Sequence, residues 1–168
     1  MAEPVSTGDK LIVWVAKGFG SGCAPKGPGT VGSVVGIGWF ALLLLCPDFL
    51  WYCVGTLAGI PLSVWICGRA EKILNLKDPG SVVLDEIIAL PICFVPLVFQ
   101  HAPSLPSVGH VFTEQWMFVI GVFAGFRLFD IWKPWPIRQL QDLPGGWGVT
   151  IDDVLAGIYV AAILFFVV

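Results

Sequence analysis

The chain has 168 residues, 57% of them hydrophobic and only 12% charged, with a mean hydropathy of +0.86. Soluble domains run at about 45–50% apolar and about 25% charged, so a soluble fold is excluded and an integral membrane protein is indicated. The net charge of −3 leaves no basic footprint, which excludes nucleic acid as a partner.

In chain order, Met1–Lys10 is polar and acidic and lacks the charged-then-apolar order of a secretory signal, so it is expected to stay in the cytoplasm. Leu11–Phe19, flanked by Lys10 and Lys17, suits a helix lying along a membrane surface. Gly18–Ser33 is rich in glycine and proline and has neither a Walker nor a dinucleotide-binding pattern. It reads either as a surface loop or as a phosphate-capturing turn, with Thr30 or Ser33 capping the next helix and Lys26 adding a mobile positive charge.

Five apolar runs follow: Val31–Cys46, Phe49–Cys67, Val82–Gln100, Trp116–Trp132 and Ile151–Val168. A crossing needs about 17–25 residues, which four of them supply. The first is interrupted by Gly32, Gly36 and Gly38 and stopped by Pro47, so it reads as a shallow or tilted helix. Pairs at GxxxG spacing, Gly32/Gly36, Gly55/Gly59 and Gly121/Gly125, predict close helix packing. The expected fold is all-α: a polytopic membrane bundle of four or five segments forming one domain over residues 1–168. Residues 1–30 are its cytoplasmic N-terminal segment and 31–168 its membrane bundle.

Lysine and arginine fix the orientation. Lys10, Lys17 and Lys26 precede the first run, Arg69, Lys72 and Lys77 lie between the second and third, and Lys133 and Arg138 follow the fourth, whereas Pro47–Asp48 and His101–Gln115 carry none. The positive-inside rule then puts the first group on the cytoplasmic side, together with the ends of the runs that carry Asp85, Glu86, Arg127, Asp130, Asp152 and Asp153. Charges at membrane depth are costly, so six at one level mark chemistry or ion handling, although solvated interfacial anchors are the bland alternative. Arg127 and Asp130, at i and i+3, share a helix face, while the side chains of Asp85–Glu86 and of Asp152–Asp153 diverge by about 100°. Five carboxylates against one arginine call for a divalent cation, and an all-oxygen donor set favours Mg²⁺. The run Trp132–Arg138, broken by Pro134 and Pro136, is an aromatic anchor or a place where Lys133 and Arg138 hold a lipid phosphate. Pro144–Gly148 reads as a flexible turn into the last helix. The five cysteines, odd in number and without CxxC spacing, read as reduced packing residues, and His101 and His110 lie on the opposite side from the charges.

Four blocks in order, Pro-Gly-Thr-x-Gly-Ser at 28–33, Gly80-Ser81-Val82-Val83-x-Asp85-Glu86, Phe126-Arg127-x-Phe129-Asp130-x-Trp132-Lys133-Pro134-x-Pro136-Ile137, and Gly145-Gly146-x-Gly148-x-x-x-Asp152-Asp153-x-x-Ala156-Gly157, resemble the phosphatidylglycerophosphatase A family over roughly residues 11–168. The resemblance implies a Mg²⁺-dependent phosphatase of the bacterial cytoplasmic (inner) membrane, its active site facing the cytoplasm, that converts phosphatidylglycerophosphate to phosphatidylglycerol and inorganic phosphate. On that reading Asp85, Glu86, Asp130, Asp152 and Asp153 hold one or two Mg²⁺ ions and Arg127 and Lys133 neutralise the phosphoryl oxygens. The phosphatase motifs CxxxxxR, DxDx[TV] and KxxxxxxRP are missing, which favours direct attack by water. An alcohol phosphatidyltransferase lacks support because DGxxAR is absent, and a small cation transporter would spread its ionisable groups through the full membrane depth.

Overall fold

The structure, a computed structural model, describes residues 6–167; the first five residues of the polar N-terminal segment and Val168 lie outside it. Its regular elements are helices: α1 (Thr7–Ala16), α2 (Pro28–Leu43), α3 (Phe49–Leu74), α4 (Leu84–Cys93), α5 (Val95–Gln100), α6 (Val108–Glu114), α7 (Trp116–Trp132), α8 (Ile137–Leu140) and α9 (Gly146–Leu164). Large apolar side chains such as Leu45, Ile131 and Trp132 cover the outside, as in a bundle solvated by lipid.

By length and composition α3 and α9 can each cross a membrane, and α6 with α7 makes a third crossing if the pair, bent by 84° at Gln115, is one broken span. The apolar runs suggested four or five. The difference arises where Val82–Gln100 divides at Phe94 into α4 and α5: Pro96, in the first turn of α5, has no N–H to donate back across the junction, so the ladder stops. The first run forms α2, a 16-residue helix.

α4 is the central element, packed against α2 on one side, α9 on another and α3 on a third. Small residues set those distances. A Cβ on Gly32 or Gly36 would press into Val83 or Leu90 of the α4 segment, and one on Gly59 into Ile88. Gly146 lies so close to the Val64 carbonyl that α3 and α9 cross nearly backbone to backbone. Of the predicted small-residue pairs, Gly121 alone faces open space, while its partner Gly125 meets Val160. α1 packs on α3, and its last residue, Ala16, accepts a hydrogen bond at 3.0 Å from the Val83 N–H. All five cysteines are free.

Two local expectations change. α2 begins at Pro28 behind a left-handed Gly27, so neither Thr30 nor Ser33 caps it; proline suits the first helical position because its missing N–H is not needed there. The flexible turn expected through Gly148 ends instead at Gly145 (φ 59°), and the glycines after it are the first residues of α9.

Candidate active site

The first residues of α4, the last turn of α7 and the second turn of α9 meet at one end of the bundle. Between them lies a polar cavity of about 140 Å³ lined by Asp78, Gly80, Val82, Asp85, Glu86, Asp130, Lys133, Val149, Asp152 and Asp153. The five carboxylates singled out from sequence therefore share one cavity, and each adjacent pair contributes both of its members. Asp85, Asp152 and Asp153 are buried, at 5%, 3% and 4% exposure.

Two cations divide the wall. Arg127 Nη1 lies 2.7 Å from Asp130 Oδ2, the expected i, i+3 pair, and 2.8 Å from Glu86 Oε2, which also accepts from Ser33 Oγ at 2.8 Å. Arg127 thus stands behind the cavity, tying α7 to α4 and α2, and is not one of the residues lining it. Lys133 does line it: its Nζ donates to Asp152 Oδ2 at 2.7 Å and lies 3.9 Å from Asp130 Oδ1. Burial by itself disfavours the ammonium, but the hydrogen bond and charge of Asp152, with Asp153 and Asp130 nearby, outweigh it and hold Lys133 above the ordinary lysine range. α7 ends at this point: Lys133 has a left-handed backbone (φ 46°), and Pro134 after it disfavours continuing the helix.

The remaining predicted phosphate ligands stand elsewhere. Lys26, Thr30 and Arg138 are exposed and do not line the cavity, and Ser33 is buried against Glu86. The Gly-rich segment acts by close approach: a Cβ on Gly29 would strike Glu86 Oε1 and lie 3.0 Å from Arg127 Nη1, and one on Gly22 would strike the Ser81 carbonyl. Asp78 escaped the sequence reading because it sits in a polar connection beside Glu71, Lys72 and Lys77; the turn signal Asp78-Pro79-Gly80 immediately before α4 was the available clue.

The acidic side chains surround the cavity without meeting at a point, and among the described residues no three of His, Cys, Asp or Glu form a ready-made metal cage. Two observations nonetheless fit a cation between them. Six carboxylates face the cavity against Lys133 alone, and the buried Asp152 Oδ1 has no hydrogen-bond partner. Buried anionic oxygens without partners are costly, and a hard divalent ion supplies what they lack.

A family model described as phosphatidylglycerophosphatase A matches residues 14–168. Phosphatidylglycerophosphatase A of Escherichia coli (strain K12) is 38% identical over 91% of this chain and 81% of its own length, and the protein of that name from Haemophilus influenzae is 34% identical over 90% and 85%. A putative phosphatidylinositol-3-phosphatase of Bacteroides thetaiotaomicron is 37% identical over 89% of this chain and 88% of its own. No solved structure matches significantly. The chain, with its acidic cavity at one end of a lipid-solvated bundle, belongs to the phosphatidylglycerophosphatase A family and is a membrane phosphatase, a phosphoric monoester hydrolase.

Proposed function

We propose that this phosphatase hydrolyses the terminal phosphate of phosphatidylglycerophosphate, giving phosphatidylglycerol and inorganic phosphate, at the cytoplasmic face of a bacterial inner membrane, and that it uses Mg²⁺. The observation that carries this reading is the cavity itself: buried carboxylates, with an unpartnered oxygen on Asp152, at one end of an apolar bundle. Its volume is below the roughly 300–1,000 Å³ that enclose a whole small ligand, so it suits one phosphoryl group while the rest of the lipid stays outside.

Asp85, Asp152 and Asp153 are the first choices to hold Mg²⁺, with Asp130 beside them; Glu86 is already committed to Arg127 and Ser33. When bound, the ion supplies Lewis-acid polarisation of phosphoryl oxygens and acidifies water. Lys133 presents its ammonium on the cavity wall, where it offsets the charge that grows on the phosphoryl oxygens. Arg127 holds Glu86 and Asp130 in place, a positioning role. A wall carboxylate outside the ion's ligand set orients the attacking water and takes its proton. As the water oxygen bonds to phosphorus, the bond from phosphorus to the glycerol oxygen breaks, and that oxygen collects a proton on leaving.

The test is phosphate release from phosphatidylglycerophosphate by the full-length protein in mixed micelles, with and without Mg²⁺, beside Asp85→Asn. Wild type is expected to need the ion and Asp85→Asn to lose about 100-fold or more in kcat/KM. Release that is indifferent to chelation defeats the Mg²⁺ assignment, and no release under any divalent condition defeats the substrate. The name of the Bacteroides relative favours a second reading, an inositol-lipid phosphomonoester in the same cavity. Faster turnover of that lipid in the same assay would select it.

A further inference from the structure

Five of the acidic residues lining the cavity belong to helices of the bundle; the sixth, Asp78, stands on the loop between α3 and α4 and is exposed at the rim. That loop is braced at both ends. Glu71, on the last turns of α3, accepts the Asp78 N–H on its Oε1 at 2.8 Å, and the Pro79 carbonyl accepts the Val82 N–H at 2.8 Å, with Pro79 itself buried between. Asp78 is held in the left-handed region at φ 46°, a conformation that aspartate tolerates better than most residues. These contacts fix the backbone that carries the carboxylate at the rim. Next to it Gly80 has nothing within 4 Å of where a side chain would begin, so the mouth beside Asp78 is open.

The chemistry of the rim differs from that of the interior. Deeper in, Lys133 and the unpartnered Asp152 Oδ1 are suited to a phosphoryl group and its counter-ion. A solvent-facing carboxylate repels a dianionic phosphate, so one at the entrance suits a group that donates a hydrogen bond rather than the phosphate itself. With the phosphoryl group inside a cavity too small for more, the part of the substrate that lies at the rim is the alcohol it is attached to. Phosphatidylglycerophosphate carries a free hydroxyl on the carbon next to the phosphorylated one, and an inositol headgroup carries hydroxyls in the same relation.

We propose that Asp78 accepts a hydrogen bond from the headgroup hydroxyl adjacent to the reacting phosphate, and so selects polyol phosphomonoesters as this enzyme's substrates. The proposal rests on the phosphatase reading above and adds a specificity-determining residue to it; Glu71 positions that residue through its backbone N–H.

The test is a thermodynamic cycle between residue and hydroxyl. Its substrates are phosphatidylglycerophosphate and an analogue with propane-1,3-diol in place of the central glycerol, which lacks only that hydroxyl. The variants are Asp78→Gly, which keeps the left-handed backbone at no steric cost, and Asp78→Asn, which keeps an acceptor oxygen without the charge. Removing the hydroxyl from the substrate of the wild type is expected to cost about tenfold in kcat/KM, mostly in KM. Asp78→Gly should show about the same loss on the natural lipid and no further loss on the analogue, with Asp78→Asn between the two. Losses that simply multiply, which is an Asp78→Gly deficit equal on both lipids, would overturn the proposal by moving Asp78's action away from the hydroxyl, and a wild type indifferent to the hydroxyl would overturn it as well. A wild type that frees phosphate from neither lipid removes the substrate reading and this proposal with it.

Discussion

Away from the cavity, the Phe40 and Phe94 rings stack with centroids 3.7 Å apart, Tyr52 meets Phe40 edge-on, and the Tyr52 hydroxyl donates to the Pro91 carbonyl at 2.7 Å. At the cavity, nine residues back along the same helix and so about 13 Å away at 1.5 Å per residue, Asp85 stands among five other carboxylates, with a neighbouring buried oxygen unpaired. The aromatic cluster is held by stacked bulk and a directed hydrogen bond; the acidic end gathers carboxylates, leaves a buried carboxylate oxygen unpartnered and uses glycine to bring helices close. The difference separates what holds this molecule together from what the proposed function would use: the aromatic end is packing, while the acidic end offers buried carboxylates to a cation.

That contrast sets opposite expectations for stability and activity. Asp153→Asn removes one buried charge from a crowded acidic wall at almost unchanged volume. Activity is expected to fall about 100-fold or more, while the thermal midpoint without divalent ions stays level or rises because a like-charge repulsion is gone. Mg²⁺ at about 100 times its dissociation constant should stabilise wild type by about 2.7 kcal/mol and the variant by much less. Thermal unfolding in detergent with and without the ion measures both. A variant stabilised by Mg²⁺ as much as wild type would leave Asp153 outside the cation site.

Much of the acidic end is legible in the sequence because its residues break an otherwise apolar pattern. Asp85, Glu86, Asp130, Asp152 and Asp153 stand out against a hydrophobic background, and the i, i+3 spacing of Arg127 and Asp130 announces their ion pair. What was not legible depends on contacts between helices. That Arg127 reaches Glu86, and so turns away from the cavity, follows from how α7 leans on α4 and α2, which no local spacing encodes. Asp78 is one polar residue among several in a connection, and only the brace from Glu71 distinguishes it. Likewise the apolar run that divides into α4 and α5 reads as continuous by hydropathy, although Pro96 was present to mark the break, whereas Pro91 stays inside α4. The glycines were visible but ambiguous, since a loop and a close helix contact use the same residue for different reasons.

Phe94→Ala attacks the other region. It removes a fully buried ring stacked on Phe40 and is expected to cost about 2–3 kcal/mol. That is below the usual value for a soluble core, because lipid solvates separated helices about as well as the bundle interior does, leaving mainly lost packing. Denaturant titration in bicelles gives the loss, and kcat/KM per folded molecule should stay within about twofold of wild type. A large fall in specific activity would show that the aromatic end sets the cavity geometry and would erase the division between the two regions.

The finest test uses two glycines on one helix. Gly29 lies in the first turn of α2 with an ordinary helical backbone, so alanine there carries no conformational penalty and by propensity alone would favour the helix by up to about 1 kcal/mol. Its Cβ would nevertheless strike Glu86 Oε1 and crowd Arg127 Nη1, forcing apart the ion pair that joins α2, α4 and α7 behind the cavity wall. Gly38, further along α2, has nothing within 4 Å of its would-be Cβ. Gly38→Ala should therefore be as active as wild type and slightly more stable, whereas Gly29→Ala should lose about tenfold in kcat/KM, about 1.4 kcal/mol, through a displaced Glu86. If Gly29→Ala with Glu86→Gln is no worse than Glu86→Gln alone, the loss runs through that carboxylate. If the two losses multiply, Gly29 acts by another path, and close backbone approach at the acidic end serves packing alone, as it does at Gly59 against Ile88.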